Sequence, residues 1–247
     1  MTHTPDINRP PRALCEALAK VGSATAAGEL NQMGLRDTFL RGPVPYTRGR
    51  SIAGPALTLQ FMPKREDIYG ANEYDDPEAQ LHRHALYHTQ EGDIIVVDAR
   101  GDMTSGIFGS MMLSYFAGKG GKGVIIDGCI RDSTQCLDLD LGYWIKGVTP
   151  NYHTQTNIIP FAVNVPIACG EALVYPGDII IADDDGAVVV PAAMAQELLE
   201  RATHHVEWEE FTRMKLLEGA DLRKYYPLRD DARGEYEAWR AAQASHG

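Results

Sequence analysis

Apolar residues gather into short, mostly β-branched runs through the first three quarters of the chain and into helical stripes in the last. Val124-Ile125-Ile126 is one such run and predicts a buried strand. Ile94-Ile-Val-Val-Asp98, opened by Gly92-Asp93, predicts a second. Leu57-Thr-Leu-Gln-Phe61 alternates as a strand does, led in by Ala53-Gly-Pro-Ala56. Tyr143 to Lys146 adds another, and several short strands follow from Phe161 to Val190, punctuated by Pro166, Gly170 and Pro176-Gly177. Asp183-Asp-Asp-Gly186 between the last two reads as a hairpin turn, since it lacks the alternating oxygen ligands of a calcium loop.

Helical spacing marks residues 11–21, with Pro11 near the start and Leu14, Leu18 and Val21 on one face. Further helices are predicted from Ser23 to Gly34, over 109–117, and from Cys136 to Leu141. From Pro191 the character changes. Residues 192–218 form one long helical pattern striped by Trp208, Phe211, Met214, Leu216 and Leu217; Tyr225-Tyr-Pro227 interrupts it, and a polar helix follows. The pattern predicts an α/β domain over 1–191 and a helical extension over 192–247. So thin an arm should need the core or a neighbouring subunit to pack on.

Composition narrows the function. The 247 residues carry a formal net charge of -11, which argues against a nucleic-acid partner, because phosphate affinity comes from clustered Lys and Arg. An anionic small substrate needs only a local Arg. No apolar run approaches membrane-spanning length and the N-terminus has no apolar signal core, so a cytoplasmic protein is expected. Cys15, Cys129, Cys136 and Cys169 show no zinc-like spacing and read as buried thiols of a reducing compartment; Cys129 alone sits where a reactive role is conceivable.

The candidate chemistry centres on Gly123-Val-Ile-Ile-Asp-Gly-Cys-Ile-Arg-Asp132. Asp127-Gly128 reads as a sharp turn. Arg131 and Asp132 then lie just past the strand, where open α/β sheets hold ligands. Arg offers a planar fork for a carboxylate, and Asp offers hard oxygens for Mg²⁺ or Mn²⁺; the plain alternative is a surface ion pair. The helix starting near Gly109 could hold a carboxylate on its free N–H groups, or could simply end a strand–loop–helix connection. Gly118-Lys-Gly-Gly-Lys-Gly123 spells a dinucleotide fingerprint, but it follows a helix and precedes a strand, so it reads as a helix stop. His82, His84 and His88 read as polar positions on a helix face rather than as metal ligands, since Ala85 stands where a metalloprotease motif needs Glu. The loop Thr149-Pro-Asn-Tyr-His153 could reach the site, with His153 a possible general base or merely a solvated residue.

Taken in order, Ala53-Gly-Pro-Ala56, Glu91-Gly-Asp93, the helix start at Gly109, Asp127-Gly-x-x-Arg-Asp132, Pro176-Gly-Asp178 and Ala182-Asp-Asp-Asp-Gly-x-x-x-Val-Pro191 resemble one known family. It is the family named for the regulator of ribonuclease activity A, which also contains 4-hydroxy-4-methyl-2-oxoglutarate aldolases, and the likeness covers about residues 22–191. The resemblance implies a swivelling β/β/α fold assembled as a homotrimer or homohexamer. It implies that Arg131 binds the substrate carboxylate and carbonyl, that Asp132 positions a divalent metal, Mg²⁺ or Mn²⁺, and that backbone N–H groups at Gly109, Ser110, Met111 and Met112 hold the pyruvyl end. It also implies a lyase acting on a small 2-oxo acid through a pyruvate enolate, as aldolase, oxaloacetate decarboxylase or both.

One position departs from the family pattern. Aldolase members carry Asp or Glu directly after the Gly, and this chain has Ser110, which leaves Asp102, His153 or a carboxylate of the extension as proton handlers. The competing expectations are a dehydratase or hydrolase of a sugar-derived 2-oxo acid, and a non-catalytic protein that binds and inhibits a ribonuclease. Members of the latter kind lack the final acidic residue of the Arg-Asp motif, which this chain keeps.

Overall fold

Strand β2 (Ile52–Pro63) organises the sheet, because its 12 residues are long enough to serve three neighbours. The computed structural model describes residues 4–67, 76–152 and 156–244. Along β2, Ile52 to Pro55 pair antiparallel with β9 (Ile179–Asp183), and Leu59 to Pro63 pair antiparallel with β6 (Ile158–Val163). On its other side, Ala56 to Gln60 pair in parallel with β3 (Ile94–Asp98). Parallel pairing continues through β4 (Gly123–Ile130) to β5 (Gly142–Val148). The two-residue β1 (Val44–Pro45) closes one end beside β5, and β10 (Gly186–Val190) closes the other beside β9, giving the order β1-β5-β4-β3-β2-β9-β10 with β6 on β2. A separate hairpin joins β7 (Ile167–Cys169) to β8 (Ala172–Val174).

Alternation along these strands builds two cores. Leu57, Leu59, Val97, Ile126 and Ile145 share one cluster with Leu113 and Phe116, while Ala56, Val96, Ile125 and Trp144 share another with Ile180 and Val189. Both faces of the parallel strands are therefore covered, which is why they read as unbroken apolar runs. The alternation in Leu57 to Phe61 does not mark a solvent face: Thr58 is buried, its hydroxyl donating to Val165 O at 2.6 Å. Three of the predicted helices appear as α1 (Arg12–Leu18), α2 (Ser23–Gln32) and, after α3 (Leu81–Tyr87), α4 (Ser110–Gly118); the one expected over 136–141 lies earlier, as α5 (Ser133–Leu137).

Two expectations about local structure need correction. Asp127-Gly128 is not a turn; β4 runs through it to Ile130, and its register against β5 slips between Ile126 and Cys129. Gly128 is required for room. A Cβ there would stand 2.8 Å from Ala99 Cβ and 2.9 Å from Asp102 O. The second correction concerns the histidines, since His82 and His84 are buried rather than on an open helix face. His84 Nε2 donates to Glu78 O at 2.8 Å, and His88 Nε2 hydrogen-bonds with Thr4 Oγ1 at 2.8 Å, so the pair spaced for a shared metal serves two different partners.

The chain divides into compact units, Met1–Leu198 and Leu199–Gly247, the boundary falling within α6 (Ala195–Leu217). The second unit continues through α7 (Leu222–Tyr225) and α8 (Asp230–Ala244). It does not lack a core of its own: Phe211, Tyr225, Ala232 and Tyr236 form a buried cluster, with Trp208, Met214 and Trp239 packed against it. Leu217 leaves the predicted stripe and is exposed. Among the described residues no helix is long and apolar enough to cross a membrane.

Asp98, at the end of β3, offers a check on this packing. Burial, with the charge of Asp127 adding to it, raises its carboxyl above the ordinary value of 3.8, although the backbone N–H of Arg100 donates to it at 3.0 Å. A carboxyl raised in the fold binds its proton more readily there than in the unfolded chain. Its ionised form therefore costs stability at neutral pH, a cost relieved as pH falls through the raised value toward 3.8. Asp98→Asn should accordingly raise the thermal midpoint at pH 7, with a gain that shrinks on acidification; a pH series of melting curves checks both.

Candidate active site

The β3–α4 connection and the β4–α5 connection meet at the C-terminal end of the parallel strands. From the first, residues 106–108 lie alongside the end of β4: Ile107 N donates to Cys129 O and Arg131 N to Phe108 O, each at 3.0 Å. This delivers Gly109, the N-cap of α4, directly against the Arg131-Asp132 pair. The fit leaves no space for a side chain. A Cβ on Gly109 would stand 2.6 Å from Asp132 Oδ2 and 2.9 Å from Arg131 Nε.

Asp132 occupies the N-cap position of α5 in the left-handed region, φ 55° and ψ 40°. Asp tolerates that region better than most residues, but a strained backbone needs support from its surroundings. Its carboxylate does not cap its own helix. Instead Oδ2 accepts from Ser110 N at 3.2 Å and from Ser110 Oγ at 3.4 Å, at the positive end of α4. The N–H groups of Ser110, Met111 and Met112 all precede the first i→i−4 bond of that helix, from Leu113 N to Gly109 O. Met111 extends an exposed side chain, whereas Met112 packs partly against the core, so any shared role of the two rests on the backbone.

Arg131 lies alongside, its Nε 4.0 Å from Asp132 Oδ2, with both side chains a little over one third exposed. Its Cζ stands 5.9 Å from the centroid of the Tyr152 ring. The loop after β5 thus reaches the site, through Tyr152; His153 lies outside the described residues. Tyr152 itself was not singled out by the sequence, where the one signal was its place in a loop that follows a strand parallel to β4.

The other candidates are accounted for nearby. Burial alone would raise the Asp102 carboxyl, but hydrogen bonds from Thr104 N and Ser105 N, both 2.7 Å, and from the Thr104 hydroxyl hold it below the usual carboxylate range. So firmly held an acceptor is a weak base. Burial, then the charge of Asp102, pushes the Cys129 thiol up, and burial, then the charge of Asp132, pushes Cys136 up to about 11, so neither is a ready nucleophile.

The donor set at the pair is oxygen: the Asp132 carboxylate, the Ser110 hydroxyl beside it, and whatever a substrate brings. Among the described residues no group of three or more His, Cys, Asp or Glu is arranged to hold a metal. That chemistry fits a hard cation that keeps most of its water, as Mg²⁺ does on one carboxylate, and does not fit zinc. A fork, a carboxylate and a helix N-terminus converging on one point can bind a carboxylate with its adjacent carbonyl and stabilise negative charge growing on that oxygen.

Several known proteins are similar to this chain. The model of the RraA-like family, described as Aldolase/RraA, matches residues 13–189. A Halalkalibacterium halodurans protein provisionally named a 4-hydroxy-4-methyl-2-oxoglutarate aldolase is 36% identical over 158 residues, 64% of this chain and 68% of its own length. Streptomyces coelicolor RraAS2, described as an unusual member of the RNase ES inhibitor RraA family, superposes with a TM-score of 0.78 at 43% identity, covering 84% of this chain and all of that one. An uncharacterised Pseudomonas syringae protein, 22% identical, shares the fold over 93% of this chain and its own full length, with a TM-score of 0.76.

Proposed function

The chain belongs to the RraA-like family, and from that premise we propose that it is a divalent-metal-dependent carbon–carbon lyase of small 2-oxo acids. The observation that carries the reading is the meeting of Arg131, Asp132 and the α4 N-terminus over Gly109, where a Cβ would collide with both side chains. Arg131 binds the substrate carboxylate and the C2 oxygen through its fork. The N–H groups of Met111 and Met112 add partial positive charge for the same pyruvyl end, while that of Ser110 holds Asp132 beside it. Mg²⁺ or Mn²⁺, held on Asp132, would supply Lewis-acid charge to the carbonyl. Cleavage of the C3–C4 bond leaves its electron pair on C3 and, by delocalisation, on the C2 oxygen, as the enolate of pyruvate. Retro-aldol cleavage and decarboxylation of oxaloacetate share that enolate, so one site serves both. The site needs no nucleic acid or membrane, and the reading carries with it a homotrimer or homohexamer, which light scattering would detect.

Pyruvate release from a panel of 2-oxo acids, with Mg²⁺ and after chelation, tests the reading. Cation-dependent release from oxaloacetate or from at least one 4-hydroxylated 2-oxo acid is expected; no release from any would overturn it. The second reading, a ribonuclease-binding protein, draws on the likeness to Streptomyces coelicolor RraAS2. It would be favoured by inhibition of a ribonuclease together with silence on the panel.

Ser110 separates the two lyase reactions. Retro-aldol cleavage of a tertiary alcohol must lose the hydroxyl proton as the bond breaks, whereas decarboxylation has no such proton to remove. A serine hydroxyl already turned to Asp132 Oδ2 is a poor base. Oxaloacetate decarboxylation should therefore outpace cleavage of 4-hydroxy-4-methyl-2-oxoglutarate, and Ser110→Asp should raise the aldolase rate about tenfold or more relative to the decarboxylase rate. A wild type that is already an efficient aldolase, with a ratio unmoved by Ser110→Asp, would place the base elsewhere.

A further inference from the structure

We propose that Tyr152 is a positioning residue for Arg131, its ring face holding the guanidinium without consuming the N–H donors that a substrate needs. The inference rests on the reading of Arg131 as the fork for the substrate carboxylate. Three segments fix the ring where it stands. Gly106 forms parallel bridges with Cys129 on one side and with Tyr152 on the other, so the end of β4, the β3–α4 connection and the loop after β5 lie side by side. Gly106 N donates to Asn151 O at 3.0 Å. The approach is tight: a Cβ on Gly106 would stand 2.6 Å from Asn151 O and 2.9 Å from Arg131 Cβ. Both the stem of Arg131 and the backbone that carries the Tyr152 ring are thereby packed against one glycine.

The need for such a support follows from the arginine itself. Its side chain is long and rich in rotamers, and here it is more than one third exposed, with Asp132 4.0 Å from Nε. A carboxylate clamp would immobilise the guanidinium but would take up the N–H groups meant for substrate. An aromatic face attracts the cation through its quadrupole and leaves the in-plane donors alone. With Nε turned toward Asp132 and Gly109, and Cζ over the Tyr152 ring, the Nη groups are left to the substrate.

The test uses the full-length protein with Tyr152→Phe, Tyr152→Leu and Tyr152→Ala. Two quantities are measured in Mg²⁺: KM for oxaloacetate, and the affinity for oxalate, a planar dianion of enolate-like shape, by calorimetry. Phe keeps the ring face and should match wild type within about twofold. Leu keeps apolar bulk without the quadrupole and should raise KM and weaken oxalate about fivefold to tenfold, as Ala should, with unchanged melting. Leu behaving as wild type would show that bulk suffices, and Phe failing as Ala does would assign the effect to the hydroxyl; either overturns the proposal. A wild type silent on every 2-oxo acid sinks the lyase reading while the oxalate series still decides Tyr152. Absence of oxalate binding by a wild type that is also silent on every 2-oxo acid overturns both.

Discussion

Arg131→Lys should lose nearly as much kcat/KM as Arg131→Ala, about 2–4 kcal/mol of transition-state stabilisation, by analogy with removal of an oxyanion donor. Arginine presents a rigid planar fork, and only a fork can meet a carboxylate and its adjacent carbonyl oxygen together. Lysine would restore the charge at one point. Its ammonium would also forgo the Nε that lies toward Asp132 and Gly109. Because the Arg131 side chain is substantially exposed, both variants should melt within a degree or two of wild type, which separates lost function from lost fold. A lysine variant with near-normal kcat/KM would show that Arg131 does not touch the reacting group.

Gly109→Ala should have a comparable effect from a single methyl group. The backbone at Gly109, φ -114° and ψ 179°, is extended and open to alanine, so the cost falls on the two side chains that the methyl meets rather than on the backbone. The added Cβ meets Asp132 Oδ2 at 2.6 Å and Arg131 Nε at 2.9 Å, and both must yield. Asp132 is held by its bond from Ser110 N and by a left-handed backbone, so its carboxylate has little freedom to move without leaving the helix N-terminus. A displacement near 1 Å in a reacting constellation costs about a hundredfold. Steady-state kinetics beside a melting curve should therefore show a stable, folded protein with kcat/KM down about a hundredfold. Activity within a few-fold of wild type would mean that the Arg131-Asp132 geometry is not critical.

Much of this site was legible in the sequence because its parts are local. Arg131 and Asp132 follow an apolar strand, Gly109 precedes a helical pattern, and both places are marked by neighbours a few residues away. What escaped depends on contacts between distant segments. Asp127-Gly128 carries the local signature of a turn, and only the approach of Ala99 and Asp102 from another connection shows why glycine stands inside a strand. Tyr152 lies 21 positions past Arg131 and reaches it through the parallel register of β4 with β5 and the bridge at Gly106. His82 and His84 sit on a short helix whose burial is set by what packs over it, which periodicity alone does not reveal. In the C-terminal unit the stripe on α6 was visible, but its partners Tyr225 and Tyr236 come from later helices, and that closure makes the cluster.

Arg131 and Asp132 as the centre of an enolate-forming lyase is the claim most directly exposed to measurement. Oxaloacetate decarboxylation by the purified protein, read as pyruvate released and corrected for the slow reaction of the free metal ion, isolates enolate formation from any question of base. Turnover should disappear on chelation, return with Mg²⁺ or Mn²⁺, and be lost in Asp132→Asn at any cation concentration. Turnover that persists in the chelated wild type, or survives undiminished in Asp132→Asn, would contradict that claim.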